Sequence, residues 1–247
     1  MSELDGEVRD LTSSALRRVS RILVQRIHIE LILPGTGTGP PTIEVSDEVL
    51  DAVTLAYVHM AGVFDALAIV NGLLAGMSNY REMGWQKSPY RRKLRPYAPD
   101  AVELMEPEVA GGKLLRAVLS LRNTIHKRMP DPATTGRAGG DPQLREMSLH
   151  LERRSHSEIL DAFRDVGWTK SVGVKLVGDH LFLRPESALG LMLADGVPVL
   201  NQLLHATPVE ALATSPLVLD PDRSLYPSQL RAYAIEYLGL RHLVAHS

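Results

Sequence analysis

A chain of 247 residues, 45% of them apolar, can bury a sizeable core and has room for one large domain or two small ones. Its formal net charge of -2 excludes a uniformly basic coat for nucleic acid, so any such binding must come from a local patch. The absence of cysteine excludes disulfides, thiolate metal sites and a cysteine nucleophile, and fits a reducing compartment. Aromatics make up only 5% while Leu, Ala, Val, Arg and Glu are plentiful, which favours helices packed by aliphatic side chains. A mainly α-helical bundle is the expectation.

The opening Met1-Ser2-Glu3-Leu4-Asp5-Gly6-Glu7 is acidic and lacks the basic-then-apolar order of a signal peptide, so the expected location is the cytoplasm. Residues 7–33 carry Val8, Leu11, Leu16, Val19, Ile22, Leu23, Ile27 and Leu31 at helical steps, with Arg17, Arg18, Arg21 and Arg26 mostly on other faces. Those arginines either touch phosphate or an acidic partner, or form a solvated face. Pro34 to Pro41 breaks regular structure. Its Gly-x-Gly-x-Gly follows a helix and lacks a Gly-Lys-Ser/Thr ending, so it reads as a connection and not a phosphate loop.

Ser46-Asp47-Glu48 offers a helix start, and an apolar helix is expected over about 49–77. Asp51, His59, Asp65 and Asn71 interrupt it, and an aspartate near a bilayer centre costs about 2.5 to 3.5 kcal/mol on insertion scales. The expectation is a central core helix outside any membrane. Asp65 is either a satisfied buried carboxylate or one that orients a functional Arg or His. After Trp85, the cations Lys87, Arg91, Arg92, Lys93 and Arg95 interleave with Tyr90 and Tyr97. Cations that neutralise phosphates beside rings that stack on bases suit a single-stranded RNA or DNA track; the alternative is a solvated basic loop anchored by its tyrosines.

A helix is expected from about Pro107 to Arg128, ended by Met129-Pro130-Asp131-Pro132, and residues 131–141 read as a Pro/Gly-rich linker. A charged helix is expected over 142–166, carrying His150 and His156 too far around it to share a metal. Val172–Val177 and His180–Leu183 flank Gly178-Asp179 and predict a β-hairpin over about 172–184. Helices follow from Pro185 to about Leu204 and from Pro227 to His246.

Two stretches place an arginine, a hydrogen-bonding residue and a histidine at the end of a Leu-rich helix: Arg122-Asn123-Thr124-Ile125-His126-Lys127 and Arg241-His242-Leu243-Val244-Ala245-His246. A guanidinium stays charged and forks onto phosphate oxygens, while an imidazole titrates near neutral pH. The terminal stretch resembles the signature of the HEPN superfamily (higher eukaryotes and prokaryotes nucleotide-binding): Arg, then Asn, Asp or His, three free positions, then His. The middle stretch resembles it with one spacer residue missing, and Lys127 stands where some relatives carry a second histidine. The resemblance implies a helical bundle that often pairs, so that two Arg/His sets face one cleft. It further implies metal-independent RNA cleavage, with His as general acid or base and Arg on the scissile phosphate.

The expected organisation is one HEPN-like helical domain, or two pseudo-repeated halves (about 7–130 and 142–247) around the linker at 130–141. The expected catalytic residues are Arg241, His242, His246, Arg122, Asn123 and His126, and the nucleic-acid contacts are Lys87, Tyr90, Arg91, Arg92, Lys93 and Arg95. No cofactor or metal is expected, and the partners are RNA or a nucleotide and a second copy of the chain. An endoribonuclease, such as a defence or toxin-type effector, is the first functional expectation. A non-catalytic nucleotide-, RNA- or protein-binding module of the same fold is the second, and a purely structural helical protein the third.

Overall fold

In the computed structural model, which describes residues 3–33, 42–127, 130–136 and 145–208, the chain is mainly helical with one small antiparallel sheet. A heptad in the first helix sets the frame. Val8, Ala15, Ile22 and Ile29 recur at seven-residue steps and are all buried on α1 (Glu3–Ile32). Such a repeat keeps one seam turned towards a partner helix. The partner is α2 (Ile43–Leu74), against which α1 packs along much of its length.

Helix α2 begins a turn earlier than its sequence suggests. Thr42 caps it, its hydroxyl accepting from Val45 N–H at 3.4 Å, while Ser46 lies inside the helix and is buried. The burial of Val49, Val53, Tyr57, Met60, Phe64, Leu67 and Val70 leaves little of α2 facing water. By length and composition alone α2 and α7 (Pro185–His205) could each cross a bilayer. In this fold most of the apolar surface of α2 packs against α1, α5 (Ala110–Lys127) and α7, while Ile43 and Leu55 stay exposed. Tyr57 Oη donates to the Ala188 carbonyl at 3.1 Å, and Asn71 Nδ2 donates to Thr207 Oγ1 at 3.0 Å, tying α2 to α7 and the residues just beyond it.

The basic segment that follows α2 is itself helical in part. It forms α3 (Ser88–Leu94) and then α4 (Pro99–Leu104), each with proline in its first turn, where a missing N–H is harmless. Helix α6 (Arg153–Asp165) packs on α5, and α7 crosses α2, α5, α1 and α4.

The sheet is larger than the predicted hairpin. Strands β1 (Asp131–Gly136), β2 (Arg145–Glu152), β3 (Val174–Val177) and β4 (His180–Leu183) form one antiparallel sheet in the order β1-β2-β4-β3. The hairpin is where the sequence puts it: Gly178, at φ +58°, and Asp179 join Val177 to its partner His180. Glycine at the first central position is the requirement of a type II′ turn.

Two expectations are corrected. Residues 145–152 form a strand, not the first half of a helix, because Met147, Leu149 and Leu151 alternate with Ser148 and His150 and turn one apolar face to the helices. Residues 131–136 are an edge strand and not linker; Pro132 is tolerated there because an edge has a side that needs no ladder bond. Of the remaining linker, 137–144 lies outside the described residues. So do the Pro34–Pro41 connection and the terminal helix of 227–246.

Candidate functional site

The solvent-facing stripe of α2 carries His59, Gly62 and Asp65 at three-residue steps, so they follow one another around and along one side of the helix. Three other elements bring cations to this stripe. Arg122, on α5, approaches Asp65 with Nη1 to Oδ2 at 4.0 Å, the outer limit of an ion pair, and is itself half-buried. Arg18, on α1, lays its guanidinium over Gly62: a Cβ built on that glycine would fall 2.3 Å from Arg18 Nη1 and 2.7 Å from its Cζ. Lys87, in the turn before α3, is the third cation within electrostatic reach of Asp65.

Asp65 responds to opposing pulls. Although 61% of its side chain faces solvent, the surrounding protein mass raises its pKa; Arg122, then Arg18 and Lys87, pull it down without cancelling that rise. One carboxylate therefore faces three cations. His59 is held below the ordinary imidazole range, first by burial and then by Arg18 and Arg21, so it stays neutral at neutral pH. Its Nδ1 is buried and has no hydrogen-bond partner among the described residues.

The basic segment is moored to this same stretch of α2. Trp85 Nε1 donates to the Phe64 carbonyl at 3.0 Å, one residue before Asp65, and Tyr90 Oη donates to the Ala68 carbonyl at 2.6 Å, three residues after it. The two rings meet edge to face at 5.5 Å between centroids. Both are buried, and burial drives the Tyr90 phenol well above its ordinary pKa.

That mooring corrects the reading of Tyr90 and Arg91 as nucleic-acid contacts. The ring of Tyr90 is closed to any stacking base. Arg91 is buried, donates from Nη1 to the Trp85 carbonyl, and places Nε 3.2 Å from Glu106 Oε2, with an N–H direction that makes the contact Coulombic rather than a hydrogen bond. Lys93 is exposed but pairs with Glu82 at 2.8 Å, and Arg95 pairs with Glu106 at 2.5 Å. Lys87 donates to the Arg81 carbonyl. Arg92 is exposed, and among the described residues no carboxylate lies within ion-pair distance of Arg92, Lys87 or Arg18. The cations available to an anion at this site are thus Arg122, Arg18 and Lys87, with Arg92 further along the moored segment.

Of the Arg/His stretches, the middle one is partly in view. Arg122 and the exposed Asn123 are placed near the end of α5, and the backbone of His126 follows one turn after Arg122 on the same helix. The side chain of His126, and Arg241, His242 and His246 altogether, lie outside the described residues. Asp65 is not the buried carboxylate of the first sequence alternative, since 61% of its side chain is exposed, and its neighbour on α5 is Arg122 of the middle stretch. Arg18 and Gly62 were not legible as a pair. The available signal was a glycine inside an apolar helix, where it is about 1 kcal/mol less favourable than alanine and so invites a packing reason.

No family model matches the chain, and no curated protein or solved structure matches it either.

Proposed function

We propose that the protein is a HEPN-like, metal-independent endoribonuclease whose working site is assembled around Arg122 and Asp65. The observation that carries this reading is the meeting of two features separate in sequence: the arginine of the middle Arg/His stretch lies 4.0 Å from Asp65, and Lys87 of the moored basic segment is within electrostatic reach of the same carboxylate. An exposed carboxylate ringed by under-paired cations leaves a net positive recess, and a phosphodiester is the anion that a fork-shaped guanidinium suits best.

In this reading Arg122 binds the scissile phosphate and stabilises the charge that grows on its equatorial oxygens. Asp65 aims Arg122 from its far side without saturating its donors. A histidine takes the proton of the ribose 2′-hydroxyl as O2′ attacks phosphorus, the P–O5′ bond breaks, and an acid returns a proton to the leaving O5′. The products are a 2′,3′-cyclic phosphate and a 5′-hydroxyl. His126 is the candidate in the middle stretch, with Asn123 beside it; His246 with Arg241 and His242 is the second set, from the same chain or from a second copy in a dimer. The proposal carries with it a cytoplasmic effector of the defence or toxin type that needs no cofactor.

The shortened spacing before His126, with Lys127 in the next position, favours one alternative, a module of the same fold that binds RNA or a nucleotide without cleaving it. The deciding experiment is incubation of a labelled, unstructured RNA in EDTA with wild type, Arg122→Ala, His126→Ala and His246→Ala. The nuclease reading expects cleavage by wild type, lost with Arg122→Ala and with one or both histidine variants. RNA bound but left intact by wild type selects the binding module, and unaltered cleavage by every variant removes the site assignment.

A further inference from the structure

The seat of Arg18 is built rather than incidental. Its guanidinium occupies the space that a side chain at Gly62 would fill, a half-buried position in the α1–α2 packing, yet no carboxylate among the described residues pairs with it. A half-buried, oriented guanidinium with no carboxylate at ion-pair distance among the described residues is suited to an anionic ligand. It neighbours Arg122 on the same side of α2: Arg18 covers Gly62, and Arg122 approaches Asp65, three residues further on, at 4.0 Å. The two arginines nonetheless arrive from different elements, α1 and α5, which pack on α2 but not extensively on one another. Gly62 precedes Asp65 by three residues, roughly 4.5 Å along the helix axis. Two cation seats displaced along and across one helix suit two phosphates in succession better than two oxygens of one.

We infer that Arg18, held in the notch at Gly62, is a second phosphate seat beside Arg122, so that the ligand of this site is a single-stranded oligonucleotide spanning both seats rather than a mononucleotide. The inference rests on the reading of Arg122 as a phosphate-binding residue and adds the substrate class and a residue from α1. Exposed Arg21, on the next turn of α1, extends the positive edge away from Asp65, so the strand runs from α5 across α2 towards α1.

The test compares two probes: an oligouridylate of about ten nucleotides, blocked by 2′-O-methylation against cleavage, and uridine 3′-monophosphate. The proteins are wild type, Arg18→Gln, Gly62→Ala and Arg122→Gln, full-length in each case. Gly62→Ala is the informative variant. The added methyl meets only the end of a flexible side chain, and alanine favours helix over glycine, so the thermal midpoint stays level or rises while the Arg18 guanidinium is pushed from its seat. Arg18→Gln and Gly62→Ala are both expected to weaken oligonucleotide binding roughly tenfold relative to the mononucleotide, as loss of one charge-assisted contact would. Arg18→Gln is also expected to lower the steepness of log K against log salt by about 0.7.

If Arg122→Gln loses affinity while Arg18→Gln and Gly62→Ala bind the oligonucleotide like wild type, the second seat is refuted and the reading of Arg122 stands. If Arg122→Gln binds both probes like wild type, that reading fails and takes the second seat with it. Absence of oligonucleotide binding by wild type refutes both.

Discussion

Asp65 concentrates the chemistry of the site in one carboxylate, and its substitution separates orientation from attraction. It opposes the cations around it, so Asp65→Asn makes the recess more positive and is expected to tighten binding of cleavage-blocked RNA. If Asp65 aims Arg122, the same change slows cleavage, by on the order of tenfold for a misplaced phosphate ligand. A carboxyl whose folded pKa lies above its unfolded value detracts from stability once the pH exceeds both values. Asp65→Asn therefore leaves the thermal midpoint at neutral pH unchanged or raised, so that any slower cleavage by the variant would not come from unfolding. Looser binding together with unchanged cleavage would contradict the orienting role. The sequence announced Asp65 as a polar residue in an apolar helix but could not name its partner. Arg122 lies on the third helix after α2, and only the packing of α5 on α2 brings them to 4.0 Å.

At the scale of elements, legibility followed periodicity. Helices α1, α2, α5 and α7 announce themselves by apolar residues at three- and four-residue steps, and the β3–β4 hairpin by its Gly178-Asp179 turn. Strand β2 was misread because Leu144, Met147 and Leu151 fit helical steps as well as Met147, Leu149 and Leu151 fit alternation, and a short apolar run does not decide between the two. Strand β1 was hidden by Pro132 and Gly136, residues that punctuate loops but are allowed at a sheet edge. The basic segment was ambiguous for a different reason: its composition describes a nucleic-acid track and an anchored surface equally well. The structure divides it, with Trp85, Tyr90 and Arg91 serving as anchors while Lys87 and Arg92 remain available. Trp85→Phe tests that division. It removes the indole donor to the Phe64 carbonyl, which the helix ladder of α2 still engages, and so costs about 0.5–1.5 kcal/mol in chemical denaturation. Because the anchor sits one residue from Asp65, the variant is also expected to bind RNA more weakly under conditions where it remains folded. A variant with the expected stability loss but undiminished RNA affinity would show that Lys87 and its neighbours are not part of the site.

For the whole molecule, a net charge of -2 and a cluster of cations around Asp65 make opposite demands on a polyanionic ligand, and ionic strength shows which one governs. The acids are not spread evenly. Glu82 and Glu106 neutralise Lys93, Arg91 and Arg95 along the basic segment, and Asp165 pairs with Arg116 on the far part of α5, whereas Arg122, Arg18 and Lys87 gather around Asp65, with Lys87 also in electrostatic reach of Glu82. If these three cations are the phosphate contacts, log K for a blocked single-stranded RNA falls linearly with log salt at a slope of roughly -2, three contacts at about 0.7 each. A slope near zero would mean that phosphates are not what the recess binds. A slope of about -5 or steeper would require several further cations, and would shift the interface towards surfaces such as the exposed arginines of α1. A slope near -2 in wild type that becomes about 0.7 shallower with Arg122→Gln would identify the recess as the place where an overall acidic protein meets a nucleic acid.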